Sequence, residues 1–153
     1  MKKRTRFHLF RDEEGASLVE LAIVLPLFPL LLFGAIDFGR AFYVSVEIVG
    51  AAQAAAAYGS QSPTDTTGMT AAAREDAPNV PNLSVGTPTS GCECLDGSHY
   101  GAVCPTTATC GGNNTAQRVN VTVTGTYSPL IPWPGVPSSM SLSSSASMRS
   151  AGS

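Results

Sequence analysis

Glu20 lies where an ionisable side chain is costly. It interrupts the run "ASLVELAIVLPLFPLLLFGAI", residues 16–36, in which every other side chain is uncharged. A charge near hydrocarbon costs roughly 2.5 to 3.5 kcal/mol or more. Gly15 stands directly before this run and after the acidic sequence "DEE". Glu20 therefore needs either a neutralising partner or a route by which its carboxylate reaches the lipid headgroups.

Four cysteines form a second group of residues that could form disulfides or bind a metal. Cys92, Cys94, Cys104 and Cys110 lie within "CECLDGSHYGAVCPTTATC". In an oxidising compartment this cluster predicts two disulfides. Cys92 and Cys94 are too close in sequence for normal bridge geometry, so each is expected to pair with Cys104 or Cys110. A zinc site that includes His99 is the alternative, but the spacings C-x-C and C-x5-C differ from the usual C-x2-4-C knuckles.

The sequence offers little for catalysis. Asp96, Ser98 and His99 fall in one glycine-containing turn, "DGSH", whereas a catalytic triad needs side chains that converge from separate parts of the fold. No G-x-S-x-G, phosphate-loop or dinucleotide-binding motif occurs. We therefore expect a protein that is not an enzyme and has no catalytic residue, cofactor or metal.

Charge is distributed unevenly along the chain. Residues 1–15 hold five of the nine basic and three of the eleven acidic side chains, so the remainder has a net charge of −4. A basic segment before an apolar run stays cytoplasmic while the following chain crosses the membrane. Binding of nucleic acid by the basic segment is disfavoured, because the segment is short and abuts a run of membrane-spanning length.

The apolar run predicts a transmembrane helix. The twenty residues from Ser17 to Ile36 would span about 30 Å as a helix, the thickness of a bilayer's hydrocarbon core. A cleaved secretory signal is the alternative, but its apolar region would be shorter and would end at a small-residue site, which "DFGRAFYV" lacks. Pro26 and Pro29 lie inside the run, where we expect a kink or a short unwound stretch.

The helical pattern continues beyond the apolar run. Phe38, Phe42, Val46 and Val49 are spaced by four, four and three residues, which predicts an apolar stripe that packs on a soluble domain. We expect one helix over 16–58, transmembrane over about 17–36, that ends at Gly59 and is followed by a polar loop. The sequence "TAAAREDA" then predicts a short helix over 70–77.

The last third of the chain predicts a small sheet. Residues 118–127 and 140–149, "RVNVTVTGTY" and "MSLSSSASMR", alternate with a period of two, which indicates two antiparallel strands. The loop between them contains four prolines and three large apolar residues. We expect Leu130, Ile131 and Trp133 to cap the core of the sheet, a partner-binding patch being the alternative. The predicted class is α+β, with a long N-terminal helix and a small domain over 59–153 that carries a cysteine-rich loop over 92–110.

The opening residues resemble a known processing signal. "GASLVE", preceded by a basic leader, resembles the cleavage site of type IV prepilins, and the longer run "GASLVELAIVLPLFPLLLFGAIDFGRAFYV" looks like TadE-like proteins, the pseudopilins of the tight adherence (Tad or Flp) pilus. The sequences "YSPLIP" and "SASMR" are also similar to members of that family. Leu21 stands where the family prefers an aromatic residue.

The resemblance implies a structural function in a bacterial envelope. A prepilin peptidase would cleave after Gly15, remove leader 1–15 and leave Ala16 as the N-terminus. Glu20 would then neutralise the new ammonium of a neighbouring subunit and set the register of packed helices. The implied partners are the inner membrane, the peptidase, other pilin subunits and the pilus assembly machinery, with the C-terminal domain outside the cytoplasm. The alternative function is that of an unprocessed, single-pass membrane-anchored binding module.

Overall fold

The computed structural model describes residues 13–98, 100–101, 109–111 and 114–150. These residues form α1 (Glu13–Gln61), α2 (Thr66–Asp76), β1 (Ser84–Val85), β2 (Thr89–Cys94), β3 (Thr115–Tyr127) and β4 (Met140–Arg149). The chain divides between Phe38 and Gly39 into two compact units. A long helix followed by a small antiparallel sheet confirms the predicted α+β class.

Helix α1 is longer than predicted at both ends. It begins at Glu13, so Gly15 lies within its first turn, and it ends at Gln61. Pro26 and Pro29 lie inside a continuous helix, so the predicted unwound stretch is not found. Each proline removes one backbone donor, and the surrounding long apolar side chains are good helix formers that keep the remaining turns intact.

Gly59 does not end α1, and that prediction is wrong. A Cβ atom at this position would lie 2.8 Å from Cγ1 of Val119 and 2.9 Å from Sδ of Met69. The absence of a side chain therefore lets α1 approach both β3 and α2 at one point. Gly59 is required for close packing and not for a change of chain direction.

Strand β3 is the centre of the sheet. It pairs antiparallel with β4 over ten positions, from Arg118 opposite Arg149 to Tyr127 opposite Met140. Its other edge pairs antiparallel with β2 and then with β1. The predicted β3–β4 pair is therefore confirmed. Strands β1 and β2 were not predicted, and Cys92–Cys94 belongs to β2, so the first part of the predicted loop over 92–110 is instead a strand.

The core lies between the helices and one face of the sheet. Its buried members are Ile48, Ala51, Ala52, Ala55, Ala56, Met69, Ala73, Ala77, Val80, Val119, Val121 and Val123. The prediction that the stripe of Phe38, Phe42, Val46 and Val49 packs on the domain is wrong, since these four side chains are 40 to 76% exposed. The buried face of α1 consists mainly of alanines, because small side chains allow a helix to lie close to a sheet.

Helix α2 begins four residues earlier than predicted. Asp65 caps its N-terminus, since a carboxylate oxygen of Asp65 accepts a hydrogen bond from the backbone N–H of Gly68 at 2.9 Å. The Tyr58 hydroxyl donates to the other oxygen at 2.7 Å. These two hydrogen bonds, the one from Gly68 first, hold the pKa of Asp65 below its ordinary value. The capping aspartate thus joins the start of α2 to the end of α1.

The proline-rich loop over 128–139 does not cap the core. Leu130 is 63% exposed, and neither Ile131 nor Trp133 belongs to the buried core. The loop folds on itself around a cavity of about 160 Å³ lined by Ile131, Trp133 and Val136 among others. The prolines keep this segment out of the sheet, so its apolar side chains pack locally instead of on the core.

Candidate functional site

Gly15 has no structural reason to be glycine. A Cβ atom at this position would have nothing within 4 Å, and the residue has an ordinary helical backbone. Glycine within a helix costs about 1 kcal/mol relative to alanine. The fold therefore tolerates a side chain at position 15, in contrast to Gly59.

Glu20 lies on the exposed surface of α1 among exposed apolar side chains. Leu18, Val19 and Leu21 are each more than half exposed. In the described part of the chain Glu20 has neither an ion-pair nor a hydrogen-bond partner. Position 16 precedes it by four residues in the same helix, so positions 16 and 20 lie on one face. A charge at position 20 must therefore be satisfied by something outside these residues.

The N-terminal part of α1 suggests a membrane anchor. Among the described residues, this helix is long and apolar enough to cross a bilayer, and none of its apolar window is buried within the chain. Leucines, phenylalanines and valines around the whole circumference from Leu18 to Phe33 are exposed. In water this surface would be strongly unfavourable, whereas in hydrocarbon it is favourable.

The disulfide-bonded end of the sheet forms the second candidate site. Cys94 and Cys110 are joined in a disulfide with Cα atoms 5.4 Å apart, in agreement with one of the pairings open to Cys94. Cys92 is also disulfide-bonded, and Cys104 and His99 lie outside the described residues. Because the sulfur atoms of Cys92, Cys94 and Cys110 are held in disulfides, these three residues do not provide thiolate ligands for zinc.

A buried glutamate lies beside this disulfide. Glu93 is fully buried on β2, and its Oε1 accepts a hydrogen bond from Nε of Arg149 at 2.5 Å. Its Oε2 lies 3.3 Å from Nε of Arg118. The two guanidinium groups occupy directly opposite positions on β3 and β4, and their side chains are 37 and 43% exposed. Glu93 therefore separates two cations that would otherwise face each other across the strands.

Tyr100 and Gly101 lie against β2. The backbones of Cys92 and Gly101 exchange two hydrogen bonds of 2.8 and 2.9 Å. A Cβ atom on Gly91 would lie 2.8 Å from the carbonyl oxygen of Gly101 and 3.0 Å from the ring of Tyr100. Gly91 thus allows this segment to cover β2 closely. This end of the sheet is therefore closed by backbone hydrogen bonds and by the Cys94–Cys110 disulfide.

The sequence-predicted residues fall at two separate sites. Gly15 and Glu20 lie in the first compact unit, and the described cysteines lie in the second. The ion pairs of Glu93 were missed by sequence analysis. The signal was weak: in "CEC" the alternation of a strand places Glu93 on the face opposite its two cysteine neighbours, but its partner Arg149 lies 56 residues away.

Comparison with known families finds a match in the N-terminal part of the chain. Residues 15–57 match the family model described as TadE-like protein, which confirms the resemblance seen in the sequence. The match covers α1 from Gly15 almost to its end. No curated protein and no solved structure matches the chain. The family match is therefore confined to the N-terminal helix and does not include the sheet.

Proposed function

We propose, from the TadE-like match of α1, that this chain is a minor pilin or pseudopilin that takes part in the assembly of Tad-type pili and in surface adherence. Its leader 1–15 is removed by a prepilin peptidase after Gly15. The apolar part of α1 then holds the protein in the inner membrane, with the disulfide-bonded domain outside the cytoplasm. The protein has no catalytic role of its own.

The observation that carries this proposal is the open environment of Gly15. A purely structural anchor would gain helix stability from alanine at this position, since nothing obstructs a side chain there. A glycine kept immediately between a basic leader and an apolar helix is the pattern that a prepilin peptidase cleaves. The orientation follows from the basic side chains of 1–15, which favour a cytoplasmic N-terminus.

Glu20 supports the same function. Cleavage after Gly15 frees the α-amino group of Ala16, whose ordinary pKa is about 7.7 to 8.0, so that it is mostly protonated at neutral pH. The ammonium then lies at the N-terminal end of the helix, about one turn before Glu20. Two such helices that pack side by side can neutralise each other's charges, which makes two costly groups tolerable in hydrocarbon.

The test is processing of the full chain in its native membrane. Intact mass and N-terminal sequencing should show a mature protein that begins at Ala16. Gly15→Val should block cleavage, because a β-branched side chain crowds the scissile bond. Gly39→Val is the matched control. Gly39 lies in the same helix, and a Cβ atom there would also have nothing within 4 Å. A wild-type protein that still begins at Met1 would instead support the unprocessed binding module.

A further inference from the structure

The proline-rich loop over 128–139 lies at one particular end of the second unit. A Cβ atom on Gly59 would lie 2.8 Å from Cγ1 of Val119. Earlier in α1, Cδ1 of Ile48 lies 2.9 Å from the place that a Cβ atom on Gly125 would take. Because residue numbers fall along α1 as they rise along β3, the two elements run in opposite directions. The loop follows the C-terminal end of β3, so it lies at the end of this unit where α1 enters.

Arg40 and Tyr127 define the start of the loop more closely. The guanidinium carbon of Arg40 lies 5.8 Å from the centroid of the Tyr127 ring, within the range of a cation–π contact. Ser128, the first residue of the loop, lines a cavity of about 270 Å³ together with Arg40. The second unit begins at Gly39. The loop therefore starts beside the first turn of α1 in this unit, which we call the anchor end.

The anchor end is close to the boundary of the apolar run. Arg40 follows Ile36, the last residue of that run, after the three residues "DFG". A rise of four residues in a helix is about 6 Å, and the headgroup layer on each side of a bilayer is about 5 to 8 Å thick. With the apolar run in hydrocarbon, Arg40 lies at the depth of the headgroups. The loop that begins beside Arg40 starts at the same depth.

The composition of the loop suits the boundary between lipid and water. "SPLIPWPGVPSS" contains no charged residue, and the side chains of Leu130 and Val136 are 63 and 43% exposed. Its four prolines have no backbone N–H group, which lowers the cost of removing this backbone from water. Trp133 has the amphipathic ring that is enriched where membranes meet water. The opposite end of the sheet carries instead the ion pairs of Glu93.

We propose that the loop over 128–139 inserts its apolar side chains into the lipid–water interface next to α1, and so gives the second unit a shallow contact of its own with the bilayer. Leu130 and Val136 contact the acyl chains, and the ring of Trp133 lies at the level of the headgroups. The contact holds the anchor end of the sheet at the membrane surface. It rests on the anchoring of α1 in the proposed function, and not on cleavage after Gly15.

Fluorescence of Trp133 measures this contact directly, because it is the single tryptophan of the chain. The full chain is reconstituted in lipid nanodiscs whose phospholipids carry a nitroxide either near the headgroup or near the centre of the bilayer. The shallow nitroxide should quench Trp133 at least about twofold more than the deep one, because the ring lies at the interface. Iodide dissolved in the water should quench Trp133 weakly.

Trp133→Phe with Leu95→Trp is the matched control. Leu95 is 49% exposed and follows Cys94, which pairs with Thr115 at the start of β3. β3 has 13 residues, and a strand of that length extends over about 40 Å. A tryptophan at position 95 should therefore be quenched by iodide and by neither nitroxide.

Three results would overturn the proposal. Quenching of Trp133 by iodide and not by nitroxide would place the loop in water. Quenching by neither would show that the chain itself or a second protein subunit covers the ring. Equal nitroxide quenching at positions 133 and 95 would show that the loop has no contact with lipid that the opposite end of the sheet lacks.

Charged substitutions in the loop provide an independent test. Leu130→Asp with Val136→Asp should lower the shallow quenching of Trp133 at least about twofold, because a charge near hydrocarbon is costly. Leu95→Asp is the control, and should leave this quenching unchanged. Resistance to extraction by alkaline carbonate measures the anchoring by α1 separately and should be equal in all variants. Unchanged quenching in the double variant would overturn the proposal.

The two proposals fail in different measurements. A wild-type protein that still begins at Met1 would refute cleavage of the leader. The quenching of Trp133 is measured on the same full chain, and its expected result is the same with and without the leader.

Discussion

Glu20 and Glu93 are two carboxylates in apolar surroundings, and the two compact units treat them differently. In the second unit Glu93 is fully buried and lies within 2.5 and 3.3 Å of two guanidinium nitrogens supplied by β4 and β3. In the first unit Glu20 lies on an exposed apolar helix and has no partner in the described chain. One glutamate is therefore neutralised by its own fold, and the other is not neutralised by any described residue of the chain.

The same contrast separates the two parts of α1. From Ala51 to Ala56 the helix presents small side chains to the sheet and is completely buried there. From Leu18 to Phe33 it presents large apolar side chains that nothing in the chain covers. A surface completed by its own chain is a structural feature, whereas a surface left incomplete indicates an environment or a partner. In the second unit the packed surface of α1 stabilises the fold, whereas in the first unit the apolar surface of α1 suggests a membrane anchor.

Substitution of Glu20 should have the largest effect on assembly and none on the fold of the second unit. In Glu20→Gln the ammonium of a neighbouring Ala16 would lie in hydrocarbon without an opposite charge, a defect that can cost several kcal/mol. Membrane insertion should be unchanged, because an amide is no harder to bury than a carboxylate. Crosslinking of subunits in membranes and pilus display should both fall.

Glu20→Asp is the matched variant, because it keeps the charge one methylene shorter and should be partly defective. Removal of the leader is measured separately in each variant, so that a processing defect is not mistaken for an assembly defect. Wild-type crosslinking and display in Glu20→Gln would show that Glu20 is an interfacial carboxylate that reaches toward the headgroups. The proposed pairing with Ala16 would then be wrong.

Removal of the Cys94–Cys110 disulfide should affect the second unit alone. The bridge joins residues separated by 16 positions, and closing a loop of that length stabilises by about 3 kcal/mol in the chain-entropy description. Cys94→Ala with Cys110→Ala should lower the midpoint of guanidinium unfolding, followed by the fluorescence of Trp133, the single tryptophan. Cleavage after Gly15 should be unchanged. An unaltered midpoint would contradict the stabilising role of this bridge.

The Glu93 ion pairs should respond asymmetrically to loss of a partner. Arg149→Met leaves a fully buried carboxylate whose remaining cation, Arg118, is not well aligned for a hydrogen bond. A hydrogen bond to a charged group contributes about 1.5 to 3 kcal/mol, and the partial exposure of Arg149 places the loss near the lower value. Glu93→Gln should cost less, since it leaves no buried charge and both arginines are exposed enough for water to screen their repulsion. Urea midpoints measure both, and a larger loss in Glu93→Gln would refute this explanation.

The sequence predicted the structure correctly where a local pattern determines it. Strands β3 and β4 were predicted because valines alternate with polar residues on one and apolar residues alternate with serines on the other. It failed on the packed face of α1, since the pattern of large residues indicated Phe38, Phe42 and Val46, whereas the sheet contacts alanines and Gly59. Small residues carry little periodic signal, although they determine how closely a helix can approach.

The second site was less predictable than the first. Gly15 and Glu20 are close together in sequence, so a short motif is enough to select them, and their roles stay predictions. The environment of Glu93 depends on pairing between three strands, and its partner Arg149 is distant in the chain. β1 and β2 were missed for the same reason, because two residues and the sequence "TSGCEC" become strands only through their register with β3.

Substitution of Asp65 should have the smallest effect on stability. Asp65 is charged and exposed, in contrast to the buried Glu93 and to Glu20 on the apolar helix. Hydrogen bonds from Gly68 and Tyr58 lower the pKa of Asp65 in the folded state. A lowered folded pKa stabilises the fold at pH values above the unfolded pKa of about 3.9, and this stabilisation is lost as the pH falls through the folded pKa.

Asp65→Asn keeps a capping oxygen without a titrating charge, while Asp65→Ala removes the cap. At pH 7 the Tm should decrease in the order wild type, Asn variant, Ala variant. As the pH falls below about 4, the difference in Tm between the wild type and the Asn variant should disappear, while the difference in Tm between the two variants persists. A difference between wild type and Asp65→Asn that does not change with pH would show that the charge of Asp65 contributes nothing to this cap.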